Sequence, residues 1–415
     1  MRALLISFYF PPAGGGGVQR TLKLASQLPE FGITMHVLAP DDPKWIHRDE
    51  DLPLPTDAVV HRARYFGPRG RIPAEELYGR RGLERLQRQV ALTPRRLIIP
   101  DENASWALTA VRAATRIVRD SKIDCVITTS PPNSIHLIGA AVQQATGVCW
   151  VADLRDALVA KSDRHGDRLA ARLREHLQVR VASLVARRAD AVVGSTEAIV
   201  HELLTINPAL RSTVIPNGAD YEDFEALEYR PGDRFRITHT GSFFGKRNAR
   251  PFLEALVGSD ECVVARFVGD FRKSDREWVR TLGLGDRLEL HPFLPRAKTL
   301  DLQRNSEALL LLLPEIGERG RDVPSGKLFE YLAARRPILA AVPRDGAAAA
   351  LVREGEAGIL VDPGDVGAIR EAIAELVGRW RAGTLELPPE PDGFRARIDR
   401  RTRSREYAEL LKALV

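Results

Sequence analysis

The sequence predicts an α/β chain of two doubly wound halves, each a parallel sheet covered by helices on both faces. Three observations carry this prediction. Short apolar runs of strand length alternate with segments of helical periodicity, as βαβ units require. The alternation breaks at a polar stretch near the middle and then restarts. The chain has 415 residues, more than the ~250–300 that one hydrophobic core usually serves. The expected division is residues 1–222, a linker at 223–234, residues 235–385, and a hinge with a C-terminal helix at 386–415. That last helix is expected to pack back on the N-terminal half.

Ala3–Phe10 is a continuous apolar run, as a parallel strand buried on both faces should be. Gly14–Gly17 follows as a turn. The next segment sets Val18, Leu22, Ala25 and Leu28 near helical spacing and stops at Gly32, a C-cap residue. Ile33–Pro40 is the second strand. Further strands are expected around residues 58–65, 124–130, 149–155 and 189–196, with helices between most of them. Asn217–Phe235 is polar and carries Pro231-Gly232-Asp233, a linker signature. Beyond it, strands are expected at residues 236–243, 263–270, 288–294, 307–314, 337–343 and 358–363. Helical segments separate them. Phe394–Val415 reads as one basic amphipathic helix after a proline-rich hinge.

Hydrophobic residues make up 44% and charged residues 28% of the chain, which excludes disorder as the default. The net charge is +6 and the pI about 9.3, mildly basic and spread along the sequence. Acidic partners and plain solubility charge are both consistent with that. Cys125, Cys149 and Cys262 sit in or beside apolar runs without a CxxC pair. They read as small hydrophobes in a reducing compartment, not as a disulfide framework or zinc site. No apolar run reaches the ~18–20 residues that span a bilayer, and the start of the chain looks like a strand rather than a leader. The expected location is cytoplasmic.

Four segments carry chemistry. Gly14–Gly17 lies between strand one and helix one, where glycines let backbone approach a ligand and a helix start favours an anion. A diphosphate is a natural guest; a merely flexible loop is the alternative. The segment fails as a dinucleotide fingerprint, because Gln19 or Arg20 stands where the third glycine belongs. Gly16, Gly17 and Arg20 are the donor-binding candidates here. In the second segment, Gly241 and Ser242 make a tight turn after a strand, with Lys246 and Arg247 close behind. That is a phosphate clamp or a solvated basic turn.

The third segment, Arg321–Ala340, is the most specific. Pro324 and Ser325 open a helix, with Ser325 positioned to cap it. Lys327 in the first turn opposes the helix dipole unless an anion binds there. Glu330 follows by three residues on the same face, suited to two vicinal ribose hydroxyls. A local Lys–Glu ion pair is the plain alternative. In the fourth segment, Asp153, Arg155 and Asp156 interrupt an apolar run at a strand end. Charges there need a ligand or each other, so Asp153 is a catalytic candidate, with a structural Asp–Arg pair as the alternative. His136 lies within a helix pattern and reads as a core or surface histidine.

Together these residues resemble the family 4 glycosyltransferases of bacterial type. The match runs in order from about Met1 to Trp380: the glycine turn, the "IPNG" turn at Ile215–Gly218, the Gly241–Arg247 turn, and the helix after Pro324. The resemblance implies a GT-B fold, two Rossmann-like domains facing across a donor cleft, and transfer with retention of anomeric configuration. It implies that Gly16 and Gly17 face the donor diphosphate, that Lys246 and Arg247 neutralise the leaving group, and that Glu330 binds the ribose. Asp153 lies on the acceptor side. The family pattern has a glutamate eight positions before Glu330; here Asp322 stands there, one methylene shorter, as a catalytic candidate to orient the donor sugar's hydroxyls, alongside Asp153, Lys246 and Arg247.

The expected co-substrate is a nucleoside diphosphate sugar, with no required cofactor and no metal, since cations already neutralise the phosphate charge. The acceptor is unknown. A nucleotide-sugar epimerase or a non-catalytic sugar-nucleotide-binding subunit shares these features, and a dinucleotide oxidoreductase fits less well. Ten arginines between Arg62 and Arg96 form a basic stretch. It suits peripheral contact with an anionic membrane, on the inner face, guidance of a phosphorylated acceptor, or a solvated helix. Nucleic acid is not expected, because aromatics are scarce there.

Overall fold

The structure, a computed structural model, describes residues 1–43, 47–68, 82–83, 98, 100–159, 169–243, 248–271, 273–314, 321 and 324–415. The described residues fall into two compact units. One takes in the chain up to Pro216 together with Arg403–Val415, and the other takes in Asn217–Thr402.

In the first unit, seven parallel strands stand in the order β3-β2-β1-β4-β5-β6-β7. They are β1 (Arg2–Ser7), β2 (Thr34–Pro40), β3 (Ala58–Ala63), β4 (Cys125–Ser130), β5 (Cys149–Leu154), β6 (Ala191–Gly194) and β7 (Ser212–Val214). The helices are α1 (Gly16–Gln27), α2 (Ala107–Asp120), α3 (Ile135–Thr146), α4 (Leu169–Arg188) and α5 (Glu197–Leu204). Ala110 and Ile117 of α2, Ile138 of α3 and Ile199 of α5 cover one face. Val18 and Leu22 of α1 cover the other, with Tyr407, Ala408 and Leu411 of the C-terminal segment. Both faces are apolar, so the central strands read as uninterrupted hydrophobic runs.

The second unit repeats the plan with six parallel strands, in the order β10-β9-β8-β11-β12-β13. They are β8 (Phe235–Thr240), β9 (Val263–Val268), β10 (Leu288–His291), β11 (Ala308–Leu312), β12 (Ile338–Ala341) and β13 (Gly358–Val361). Its helices are α6 (Arg250–Val257), α7 (Lys273–Val279), α8 (Arg296–Arg304), α9 (Gly326–Ala334), α10 (Ala347–Glu354), α11 (Val366–Arg381) and α12 (Phe394–Ile398). Phe252 and Leu253 of α6 and Ile369 and Ile373 of α11 pack on one face. Leu328 and Leu332 of α9 and Val352 of α10 pack on the other. Both strand orders reverse beside the first strand of the unit. There the carboxyl ends of β1 and β4, and of β8 and β11, open a crevice.

Two local expectations change. Strand one ends at Ser7, not Phe10. Phe8 and Phe10 are buried beyond the ladder, and Phe8 meets Tyr65 and Trp106 edge to face. Their apolarity reports core packing rather than strand pairing. The C-terminal helix divides at Asp399 into α12 and α13 (Arg400–Lys412). Asp399 is extended, and its carboxylate accepts from the amide of Thr402. The aspartate caps a new helix instead of continuing the old one. All three cysteines are free thiols, and Cys149 and Cys262 are only half-buried.

His136 of α3 is fully buried. Its Nδ1 lies 2.9 Å from Thr128 Oγ1, which also accepts from the Trp150 indole at 2.8 Å. Burial pushes His136 down to about 3, against a weaker upward pull from Asp153. The unfolded chain takes up this proton near pH ~6.5, whereas the folded chain does not. The stability contribution is therefore present above that pH and is lost as pH falls towards 3. From pH 7 to 5 the expected loss is about 2 kcal/mol. Urea midpoints at both pH values, for the wild type and His136→Gln, check this. The variant should lose clearly less stability, and an equal loss in both proteins contradicts a neutral buried histidine.

Candidate active site

At the carboxyl end of β8 the chain turns through Gly241, whose φ is 121°. An L side chain rarely adopts that angle, and a Cβ there would collide with the stem of Lys327. The glycine thus lets the lysine lie against the turn. Lys327 Nζ sits 3.3 Å from His239 Nε2. The other ring nitrogen, Nδ1, lies 2.8 Å from the carbonyl of Leu310. Donation to that carbonyl leaves Nε2 as an acceptor for the ammonium. Ser242 Oγ accepts from the Asp270 amide at 3.0 Å and fixes the turn. Ser325 stands at the N-cap of α9 with extended backbone, but its hydroxyl makes no cap bond. The side-chain cap expected of Ser325 is absent.

One helical turn on, Glu330 pairs with Arg296 rather than Lys327. Arg296 Nη1 donates to Glu330 Oε1 at 2.7 Å, and Gln303 Nε2 donates to Oε2 at 3.1 Å. Arg296 Nη2 also bonds Asp223 at 2.6 Å and lies 3.7 Å from Asp220. Gln303, fully buried, donates to Thr240 Oγ1 at 2.9 Å, and the Thr240 amide donates to the Tyr331 hydroxyl at 2.8 Å. Asp220 in turn accepts from Arg400 at 2.7 Å. The second unit therefore presents a held carboxylate and an ammonium on one helix, beside a glycine turn at its switch point. Such a set is able to accept from a diol and to neutralise an anion.

In the first unit, α1 starts at Gly16 behind Gly15, whose φ of 93° again suits glycine. Gly16 and Gly17 are exposed in its first turn. Arg155 clamps this turn to the end of β4. It donates to the carbonyls of Gly17, Ser130 and Pro131. Burial lowers its pKa, with Asp153 and Asp156 pulling it back up. Asp153 is fully buried, and Arg20 is 5% exposed. Arg20 donates to Asp153 at 2.7 Å, and Thr129 donates to the second carboxylate oxygen at 2.7 Å. The remaining Arg20 nitrogen serves the carbonyls of Ile215 and Pro216, each at 3.0 Å. The sequence offers Arg20 to a donor. In the structure its guanidinium is committed to a buried ion pair and to the "IPNG" turn.

Lys246, Arg247 and Asp322 lie outside the described residues, as do the arginines from Arg69 to Arg96. Arg62 spends its guanidinium on the carbonyls of Pro11 and Pro40. Arg64 lies over the Phe66 ring. Sequence reading missed Arg296, Gln303 and Asp223, which no motif marks. The only signal was Arg296 at a helix start after Pro295. Among the described residues no group of three or more metal-ligating side chains converges, and no helix is long and apolar enough to cross a membrane.

The family model for a glycosyl transferase 4-like domain matches residues 15–218, and that for glycosyl transferases group 1 matches residues 234–379. The comparison with curated proteins gives no match. Among solved structures, sucrose-phosphate synthase from Thermosynechococcus elongatus is similar, with a TM-score of 0.65 and 17% identity. The match covers 100% of this chain and 98% of that one. HepE from Anabaena, in complex with UDP-glucose, gives 0.62 at 17% identity and covers 100% of both chains. A structure described as trehalose-6-phosphate from E. coli, bound with UDP-2-fluoro glucose, gives 0.59 at 12%, again with 100% of both chains covered. Likeness at these identities establishes the fold alone. Two consecutive family matches over most of the chain, on two doubly wound parallel sheets, make this protein a member of the family 4-like glycosyltransferases of GT-B fold.

Proposed function

We propose that the protein is a retaining glycosyltransferase that moves a sugar from a nucleoside diphosphate sugar to a saccharide, lipid-linked or small-molecule acceptor. The observation that carries this reading is the pairing on α9. Glu330, with both oxygens held, stands one turn from Lys327, which lies on the Gly241 turn. A carboxylate for two ribose hydroxyls and a cation for phosphate, at that spacing, fit a nucleoside diphosphate. The UDP-glucose in HepE, on the same fold, supports a donor of this class.

Departure of the nucleoside diphosphate builds negative charge on its β-phosphate. Lys327, with Lys246 and Arg247, stabilises that charge where it forms. Gly16 and Gly17 offer exposed amides to a substrate phosphate. Asp322 orients hydroxyls of the transferred sugar. The acceptor reacts on the face the leaving group quits, and the departing phosphate takes its proton, so no protein nucleophile is used. Asp153 and Arg20 enter as positioning residues on the acceptor side, because their polar atoms hold each other and the chain around them. The basic stretch from Arg62 to Arg96 brings the cytoplasmic protein to an anionic membrane.

Three outcomes are expected. Nuclear magnetic resonance of the product should show the donor's anomeric configuration kept; an inverted linkage, or an epimerised nucleotide sugar without transfer, refutes the reading. Lys246→Ala should lower kcat about 10²–10³-fold with donor KM changed only a few-fold, and turnover within twofold of wild type removes that role. The purified protein should pellet with vesicles rich in phosphatidylserine and release in 0.5–1 M salt, on the order of what screening requires. Equal pelleting with neutral vesicles argues against the membrane role.

A further inference from the structure

Glu330 is held from outside its own helix. Arg296 opens α8, yet its guanidinium reaches Glu330 at 2.7 Å, Asp223 at 2.6 Å and Asp220 at 3.7 Å. Nη1 serves Glu330, while Nη2 and Nε serve Asp223, so the planar fork spans two carboxylates at fixed angles. Gln303 holds the second Glu330 oxygen. Each carboxylate oxygen has two lone pairs. Glu330 therefore keeps acceptor capacity on both oxygens after Arg296 and Gln303 are counted, and that capacity points in directions the two donors fix.

We propose that Arg296 is a positioning residue that sets selectivity for a ribose diol, by locking the Glu330 carboxylate in the orientation two vicinal hydroxyls need. This rests on the nucleoside diphosphate reading above. Without the guanidinium, Glu330 and Asp223 lose the cation they share and repel, while Asp220 keeps its bond from Arg400. Glu330 then turns away or takes up a proton, and the two hydroxyls lose a matched pair of acceptors. Lysine at this position keeps the charge but not the fork, so it cannot hold Glu330 and Asp223 together. Burial alone would depress the guanidinium, but Glu330, Asp223 and Asp220 outweigh it and keep Arg296 charged.

The test uses the full chain with uridine, adenosine, guanosine and cytidine 5′-diphosphates and their 2′-deoxy counterparts, with Kd measured by calorimetry. The wild type should prefer one ribonucleotide over its 2′-deoxy form by about tenfold or more, the worth of a hydrogen bond to a charged group. In Arg296→Lys that preference should fall to about twofold, matching Glu330→Ala, and the double variant should lose nothing further, since the two residues act as one unit. If Arg296→Lys does not fold by circular dichroism, Arg296→Gln, which has neither the charge nor the fork, is read the same way. A purely structural arginine would weaken the ribo and deoxy forms alike and leave their ratio unchanged, and that result overturns the proposal. Wild-type protein that binds none of the eight, or binds without a ribose preference, overturns instead the donor-site reading on which it stands.

Discussion

Both sheets are parallel and covered on both faces, and that constraint governs where chemistry sits. A strand such as β4 or β11 is buried along its whole length, so an unpaired charge in its middle would meet only hydrocarbon. Charges are driven to the strand ends, and the ligand-facing ones to the carboxyl ends, where the strands open into turns. Gly241 follows β8, Asp153 closes β5, and the Gly15 turn follows β1. In each unit the strand order reverses beside these turns, so one topological fact concentrates the turns and the helix starts there.

The buried charges come in partnered sets. Asp153, Arg20 and Thr129 satisfy one another deep in the first unit. Arg236 and Glu307 do the same in the second, at 2.8 Å, with the Glu307 carboxylate held below its usual range: burial raises it, and the bonds from Arg236 outweigh that. Removing one member of such a set leaves a charge stranded, which costs far more than the pair contributes. Arg296 is a different case, because one cation is shared among three acids and two of them, Glu330 and Asp223, keep some exposure.

Sequence patterning carried the fold well, because βαβ alternation is local and repeated. It failed where burial occurs without pairing, as at Phe8 and Phe10, and where a single capping aspartate interrupts a helical pattern, as at Asp399. The site was readable where its parts are neighbours in the chain. Lys327 and Glu330 share a helix, and Gly241 marks its own turn. It was not readable where parts meet from afar. Arg20 and Asp153 are separated by 133 positions, and Arg296 and Glu330 by 34. No spacing rule links such residues, so Asp153, Arg20 and Glu330 stood out singly, while their pairings, and Arg296 itself, did not.

The last thirteen residues belong with the first unit, while the segment just before them belongs with the second. Tyr407 and Leu411 complete the core against Val18 and Leu22. Exchange of halves between relatives by recombination is therefore not a single cut. A hybrid that inherits a new second half needs crossovers on both sides of Asn217–Thr402. One crossover alone grafts a foreign tail onto the wrong core, which favours divergence of the two halves by point substitution over wholesale shuffling.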